Sequence, residues 1–267
     1  MSKHKAIFIT GGGSGIGRAI ARRFAGEGWF VGLGDINEAG MAQTAAALPQ
    51  DACSSHLLDV RDPAAWDEAL AAFVAKSGRL DVLANNAGIP LGGTLASNSA
   101  AEIERCLDIN LKGVIFGAQA AYPHLQKTAP GSCLLNTASA AGIYGTPGTS
   151  TYAATKAAVR SLTETLDGEW AGDGIAVRSL CPGFIDTPLL DHNPHEGSNE
   201  MIRARVTRAG LEITPVEEVA EAAWRAVHGD RVHTLIGKTA RRLAFASRWT
   251  PGRLRKEVRR IKRPMGG

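Results

Sequence analysis

Short runs of consecutive apolar residues alternate with longer stretches whose apolar positions recur every three or four residues. The run 5-KAIFIT-10 predicts a strand buried on both faces, and the segment IGRAIARRFAGEG over 16–28 carries a helical period. The pair of patterns then repeats. Strand 29–35 precedes helix 38–48, strand 54–60 precedes helix 63–78, and strand 81–88 precedes a long helix over 100–126. Strand 132–139 precedes helix 152–171, strand 175–183 precedes helix 215–228, and a short strand 232–237 follows. Pro63 starts its helix and Gly78 ends it. Strands that are apolar throughout, each followed by a helix, imply a parallel sheet, because helices on both faces hide both sides of every strand. The pattern predicts one doubly wound α/β domain over residues 1–237. A basic extension, 238–267, follows, with a helix over 239–248, a break at Pro251 and a second helix to about residue 262.

The composition fits that plan: 267 residues, 44% hydrophobic and 21% charged. Charge changes the picture more. From Lys238 onward there are eleven Lys or Arg and one acid, Glu257, so the tail carries +10 and the rest of the chain −6. An acidic body speaks against a nucleic-acid partner. The tail, with Leu243, Phe245 and Trp249 among its arginines, reads first as a solvated helix docked on its own subunit or on a partner. Peripheral contact with a membrane surface is the second reading. Four scattered cysteines show no Cys/His ligand spacing, so no metal site is expected, and free thiols suit a reducing compartment. The first residues lack the apolar core of a signal peptide, and the expected location is the cytoplasm.

The chemistry lies where strands end, which is where open parallel sheets bind ligands. The turn 10-TGGGSGIG-17 joins the first strand to the first helix. Glycines at 11, 15 and 17 allow a tight turn and let a pyrophosphate reach the helix N-terminus, where unpaired N–H groups and the helix dipole favour anions. The spacing is G-x-x-x-G-x-G, not the more familiar G-x-G-x-x-G. Asp35 ends the second strand, 18 residues past Gly17. Its carboxylate can bond both hydroxyls of an adenine ribose and would repel a 2′-phosphate. Ser14 is in the turn with no cation before Gly15, and 36-INEAG-40 supplies none, so NAD is expected over NADP. Asp35 could instead cap the next helix, a role open equally to Asn37. Asp59 suits either the adenine amino group or an ordinary turn. In 151-TYAATKAAV-159, Tyr152 and Lys156 share one helix face. An ammonium beside a phenol favours the phenolate, although the pair alone reads as an ordinary surface helix.

Taken together, these motifs fall in a known order. The glycine turn is followed by 85-NNAG-88, by Asn110 in 108-DINLKGV-114 and by Ser139 in 136-NTASAAG-142. Tyr152/Lys156, 182-PG-183 and Thr187 complete the series. Over residues 5 to about 237 the chain resembles the short-chain dehydrogenase/reductase family. The resemblance implies a Rossmann-type domain with a seven-stranded parallel sheet. It also implies nicotinamide-dependent oxidation of alcohols or reduction of carbonyls on a small-molecule substrate. It makes Tyr152 the general acid/base, Lys156 its modulator and a ribose ligand, and Ser139 the holder of the substrate oxygen. Asn110 would anchor a water between Lys156 and solvent. Asn85 would brace the sheet, Gly88 would leave room for the cofactor, and Ile185 and Thr187 would meet the carboxamide. Ile16, Val60, Asn86, Pro182 and Gly183 would complete the cofactor wall. A homo-oligomer, a dimer or else a tetramer, would form through the helices carrying Asn110 and Tyr152. The C-terminus departs from the family's usual glycine-rich ending. The loop 188–210, with solvated His192 and His195, and the pair Ile143 and Tyr144 would border a moderately apolar substrate. The competing reading is a dinucleotide-binding regulator without turnover, against which the intact Ser139, Tyr152 and Lys156 count.

Overall fold

The computed structural model describes residues 4–261. Along the chain run β1 (Ala6–Thr10), α1 (Gly15–Gly26), β2 (Phe30–Asp35), α2 (Glu38–Ala46), β3 (Cys53–Leu57), α3 (Pro63–Ser77) and β4 (Val82–Asn85). Then come α4 (Ala100–Leu107), α5 (Gly113–Thr128), β5 (Ser132–Thr137), α6 (Ser150–Glu169), β6 (Ile175–Pro182), β7 (Phe184–Ile185) and α7 (Ile202–Arg208). The last elements are β8 (Ile213–Thr214), α8 (Val216–His228), β9 (His233–Ile236), α9 (Gly237–Trp249) and α10 (Pro251–Arg259). Seven strands form one sheet in the order β3-β2-β1-β4-β5-β6-β9, every neighbouring pair parallel. The order reverses between β1 and β4, and the crevice at that reversal is where such sheets receive ligands.

The strands lack polar/apolar alternation because both faces are buried. In β1, Ile7 and Ile9 pack with Ile20 and Phe24 of α1 and with Val219 and Ala223 of α8. Ala6 and Phe8 point to the other face, against Trp66, Leu70 and Phe73 of α3 and Ala121 and Leu125 of α5. Helix ends follow local chemistry. Asp62 caps α3 by accepting the Ala64 N–H at 2.9 Å, and Gly78 closes it in the left-handed conformation at φ 76°. Ser99 and Glu102 form a reciprocal capping box on α4.

The structure departs from the sequence expectation at several ends. The third strand stops at Leu57, not at residue 60, so Asp59 and Val60 lie in the following turn. The fifth strand stops at Thr137, two residues before Ser139. The single helix expected over 100–126 is α4 and α5 joined by a π-helical turn, Asp108–Lys112, with Asn110 at its centre. A two-stranded parallel ribbon, β7 with β8, was not anticipated. The second tail helix ends at Arg259, with Arg260 as its C-cap, short of the expected end at about 262, a residue outside the described ones. Among the described residues no helix is long and apolar enough to cross a membrane.

Trp66 is the largest fully buried side chain. Its indole N–H donates to the Val60 carbonyl at 3.1 Å, and a Cβ built on Gly117 of α5 would come within 2.6 Å of its ring. Trp66→Ala therefore opens a cavity between α3 and α5. We expect a loss of about 3–5 kcal/mol in urea unfolding, with Trp66→Phe losing less; equal losses would mean the indole bond outweighs the packing.

Candidate active site

At the end of β1 the chain turns back on itself. Gly11 sits at φ 67°, and a Cβ on Gly17 would lie 2.1 Å from the Gly11 carbonyl oxygen, so the start of α1 rests directly on the turn. Ser14, the N-cap residue, is exposed and its hydroxyl makes no capping bond. The first amides of α1 have no acceptor within the helix and remain available to an anion. Thr187 covers the turn, since a Cβ on Gly15 would meet its side chain at 3.3 Å. Ile16 is half-buried beside it and Ile185 is buried.

Thr10, not singled out in the sequence, ties three strands together. Its hydroxyl accepts the N–H groups of Asn86 (2.9 Å) and Ala87 (3.0 Å). The Asn86 amide in turn donates to the Thr10 carbonyl at 2.9 Å, and the Thr137 hydroxyl donates to Asn86 Oδ1 at 3.4 Å. Asn85 braces the same region by donating to the Val114 carbonyl of α5 and to Asn136 Oδ1, each at 3.1 Å. These bonds fix the ends of β1, β4 and β5. The TGGG and NNAG motifs held the signal for Thr10, but only the strand order shows that the two segments meet.

Asp35 faces the glycine turn. One carboxylate oxygen accepts the Gly13 N–H at 2.9 Å and the other the Asn37 N–H at 3.0 Å. Asn37 is the cap of α2, accepting from Gly40 at 2.9 Å, so that role is not left to Asp35. Arg18 is occupied elsewhere: its guanidinium bonds the Gly13 carbonyl at 2.6 Å, Gln43 Oε1 at 3.2 Å and Thr44 Oγ1 at 3.0 Å. Asp59 is chelated by Arg61, whose side-chain bonds hold that carboxyl below its ordinary range. That pair lies in the turn after β3. Val60 is buried against Gly113.

Ser139, Tyr152 and Lys156 come together beyond β5. Ser139 Oγ accepts the Ala141 N–H at 3.2 Å, which starts the short 3₁₀ turn Ala140–Gly142. Tyr152, in the first turn of α6, is half-buried. Burial pushes its phenol above the ordinary value, while a hydrogen bond with Ser139 pulls the other way. The lowering expected from Lys156 is not delivered by the protein alone. The Lys156 Nζ lies 5.8 Å from the centre of the Tyr152 ring and donates instead to the Thr137 carbonyl at 2.9 Å. Lys156 is 4% exposed, and burial brings its pKa down from 10.5 to about 8.

Asn110 is fully buried in the π-helical turn, a feature often found at functional sites. Its amide exchanges two bonds with the Ile89 backbone, accepting at 2.8 Å and donating at 2.9 Å. Those bonds hold open the strand end at Gly88. A Cβ there would stand 3.2 Å from Asn110 Oδ1 and 3.5 Å from Lys156 Nζ. From the glycine turn past Gly88 to Lys156, the crevice is thus bordered by positions without a Cβ. The glycines leave this crevice the backbone room that a dinucleotide needs, with Asp35 at one end and Lys156 at the other.

The β6 end carries Pro182 and Gly183, whose N–H donates to the Ile236 carbonyl at 3.0 Å. The loop beyond it is held by Arg203, which bonds Asp186 at 2.7 Å and Asp191 at 2.5 Å. Glu102 accepts the Glu196 N–H at 2.9 Å, and Gly92 donates to the Pro194 carbonyl at 2.6 Å. His195 is not the solvated side chain expected: it is half-buried and accepts the Gly197 N–H at 3.1 Å. Ile143 and Tyr144 line a groove of about 520 Å³ with Ala153, Ala154 and Ala157 of α6 and Val258 of α10. Of these alanines, Ala154 lies on the opposite face of α6 from Tyr152 and Lys156, with Ala153 and Ala157 to one side.

The short chain dehydrogenase family model matches residues 5–197. The chain is 37% identical over 193 residues to meso-2,3-butanediol dehydrogenase of Serratia marcescens, covering 72% of this chain and 76% of that protein. It is 38% identical over 193 residues to 2,5-dichloro-2,5-cyclohexadiene-1,4-diol dehydrogenase of Sphingobium indicum, covering 71% and 76%. A short chain dehydrogenase/reductase from Burkholderia phymatum, solved in complex with NAD, superposes with a TM-score of 0.81 at 28% identity, covering 97% of this chain and 95% of that one.

The buried Lys156 makes a pH prediction. Below pH 8 the lysine is charged in both the folded and the unfolded chain, and its burial costs stability in full. Between about 8 and 10.5 the unfolded chain holds the proton and the folded chain releases it, so this cost fades as pH rises. Lys156→Met should therefore be more stable than the natural chain near neutral pH. The difference should shrink by about 3 kcal/mol on approaching pH 10.5. Urea unfolding of both proteins across that range checks it; a constant difference would mean that the ammonium is well solvated.

Proposed function

The chain belongs to the short-chain dehydrogenase/reductase family, and from that premise we propose that it is an NAD-dependent oxidoreductase interconverting a small secondary alcohol and its ketone. The observation that carries the reading is the convergence of Ser139, Tyr152 and the buried Lys156 at the end of the glycine-bordered crevice. NAD, when bound, supplies the acceptor for the hydride that leaves the alcohol carbon. The chain supplies the rest. Ser139 donates its hydroxyl to the substrate oxygen while its lone pair stays on the Ala141 N–H. The Tyr152 phenolate takes the hydroxyl proton as the C–H bond breaks and the C=O bond forms; in the reverse direction the phenol returns it. Lys156, fixed on Thr137, supplies the positive field behind the phenol and reaches the nicotinamide ribose. Asn110 keeps Gly88 and Ile89 clear of the path and anchors a water beside Lys156.

The environment of Asp35 supports NAD over NADP, since its carboxylate occupies the ribose end and Arg18, beside the same turn, is already committed to Gly13, Gln43 and Thr44. Ser14 and the α1 amides receive the pyrophosphate, while Ile185 and Thr187 meet the carboxamide. The diols in the names of two relatives support a small, moderately apolar hydroxy compound. We further propose a cytoplasmic homo-oligomer joined through α5 and α6.

The test is a set of initial rates, followed by the absorbance of the reduced nicotinamide, over secondary alcohols and ketones with both cofactors. Tyr152→Phe should lose about 10²–10⁴-fold in kcat while still binding NADH by fluorescence titration. A variant with full turnover would remove Tyr152 from the proposed role. Asp35→Ser should raise the NADP-to-NAD ratio of kcat/KM at least about tenfold, because it removes a charge that opposes the 2′-phosphate. An unchanged ratio would overturn the cofactor assignment and leave the catalytic one standing.

A further inference from the structure

The family match ends at residue 197, and the tail helices lie beyond it. α9 is anchored through buried Gly237 and Ala240, and Leu243, expected on the exposed face, is half-buried. Lys238 pairs with Glu212. α10 docks through Leu254 and Val258, and Glu257 links it to α9 by bonding Arg242 at 2.9 Å while pairing with Arg253 of its own helix at 3.2 Å. The helices therefore have their own hydrophobic attachment, and what remains outside is not needed to hold them in place.

That outside face is unusual. Phe245 is 63% exposed and Trp249 is 65% exposed, one helical turn apart on the same side of α9. Arg241 lies a turn before Phe245 and Arg248 flanks the pair, its guanidinium 5.3 Å from the centre of the Trp249 ring. α9 contains no acid. Arg241, Arg248, Arg255, Lys256, Arg259 and Arg260 have no ion-pair partner among the described residues. Two large aromatic rings largely exposed at the centre of a cationic face leave most of their apolar area in water.

We propose that the Phe245/Trp249 face of α9 binds the surface of an anionic lipid bilayer. The two rings would enter the boundary between headgroups and acyl chains. The flanking arginines would lay their stems along the apolar surface and keep their charges on the lipid phosphates. Charge complementarity selects an anionic partner. The paired aromatics select a lipid surface over a polynucleotide, which would need a basic track continuing across the acidic body of the chain.

The experiment is co-sedimentation of the full chain with phosphatidylcholine vesicles, with and without about 30% phosphatidylglycerol, near physiological salt. Phe245→Ala/Trp249→Ala and Arg241→Glu/Arg248→Glu are run beside it, with thermal melts to show that both fold; all four side chains are exposed. Binding to the anionic vesicles should be at least tenfold tighter than to neutral ones. Each double variant should lose at least tenfold. The proposal is overturned by absence of binding to anionic vesicles, by equal binding to both vesicles, or by binding that survives loss of the aromatics. If instead the chain binds duplex DNA, or its mass by light scattering halves in the aromatic variant, without any vesicle binding, the face belongs to a nucleic acid or to a second copy and the lipid assignment falls.

Discussion

Seven strands run in one direction, and most of what is distinctive about this chain follows from that constraint. A parallel neighbour cannot be reached by a tight turn, so each step across the sheet needs a crossover, here usually a helix. The helices cover both faces and bury Ile7 with Ile9 on one side and Ala6 with Phe8 on the other. Since both faces are filled, polar chemistry is confined to the strand ends. Every carboxyl end lies along one edge, so Thr10, Asp35, Asn85 and Thr137 are gathered there from segments far apart in sequence.

At that edge the protein spends backbone hydrogen-bonding capacity on polar side chains and keeps carbon away. Thr10 and Asn86 lock β1, β4 and β5 together. Asn110 replaces a strand partner for Ile89. The glycines at 11, 17 and 88 leave a continuous lane beside these bonds. Lys156 is buried at the end of the lane with the Thr137 carbonyl as its hydrogen-bond acceptor, a costly placement for a cation and one that suits the proposed electrostatic role beside Tyr152. The raised phenol of Tyr152 fits the same view. Burial and the Ser139 bond set its resting state, and additional positive charge is what moves it toward the phenolate.

The C-terminal segments add to this frame without sharing its logic. Arg203 and Glu102 fasten the loop beyond β6, while α9 and α10 lean on the strand edge and on the loop before Tyr152. The tail thus has an inner face serving the fold and an outer face that the fold does not use.

The sequence by itself determined the seven strands of the main sheet, most of the helices and their order, because apolar runs, helical periods and caps such as Asp62 with Pro63 and Gly78 are local signals. It also singled out Ser139, Tyr152 and Lys156 as the candidate trio, since the i, i+4 spacing of Tyr152 and Lys156 acquires meaning beside the glycine turn and Ser139. The tertiary structure decided what depends on distant partners. It chose Asn37 rather than Asp35 as a cap, gave Asp59 to Arg61, broke the long helix at Asn110 and matched Lys156 to Thr137. It also turned Leu243 inward and left Phe245 and Trp249 outside. The physical reason is the same in each case: a residue type states which bonds it can make, and only the packing of other segments settles which of them it does make.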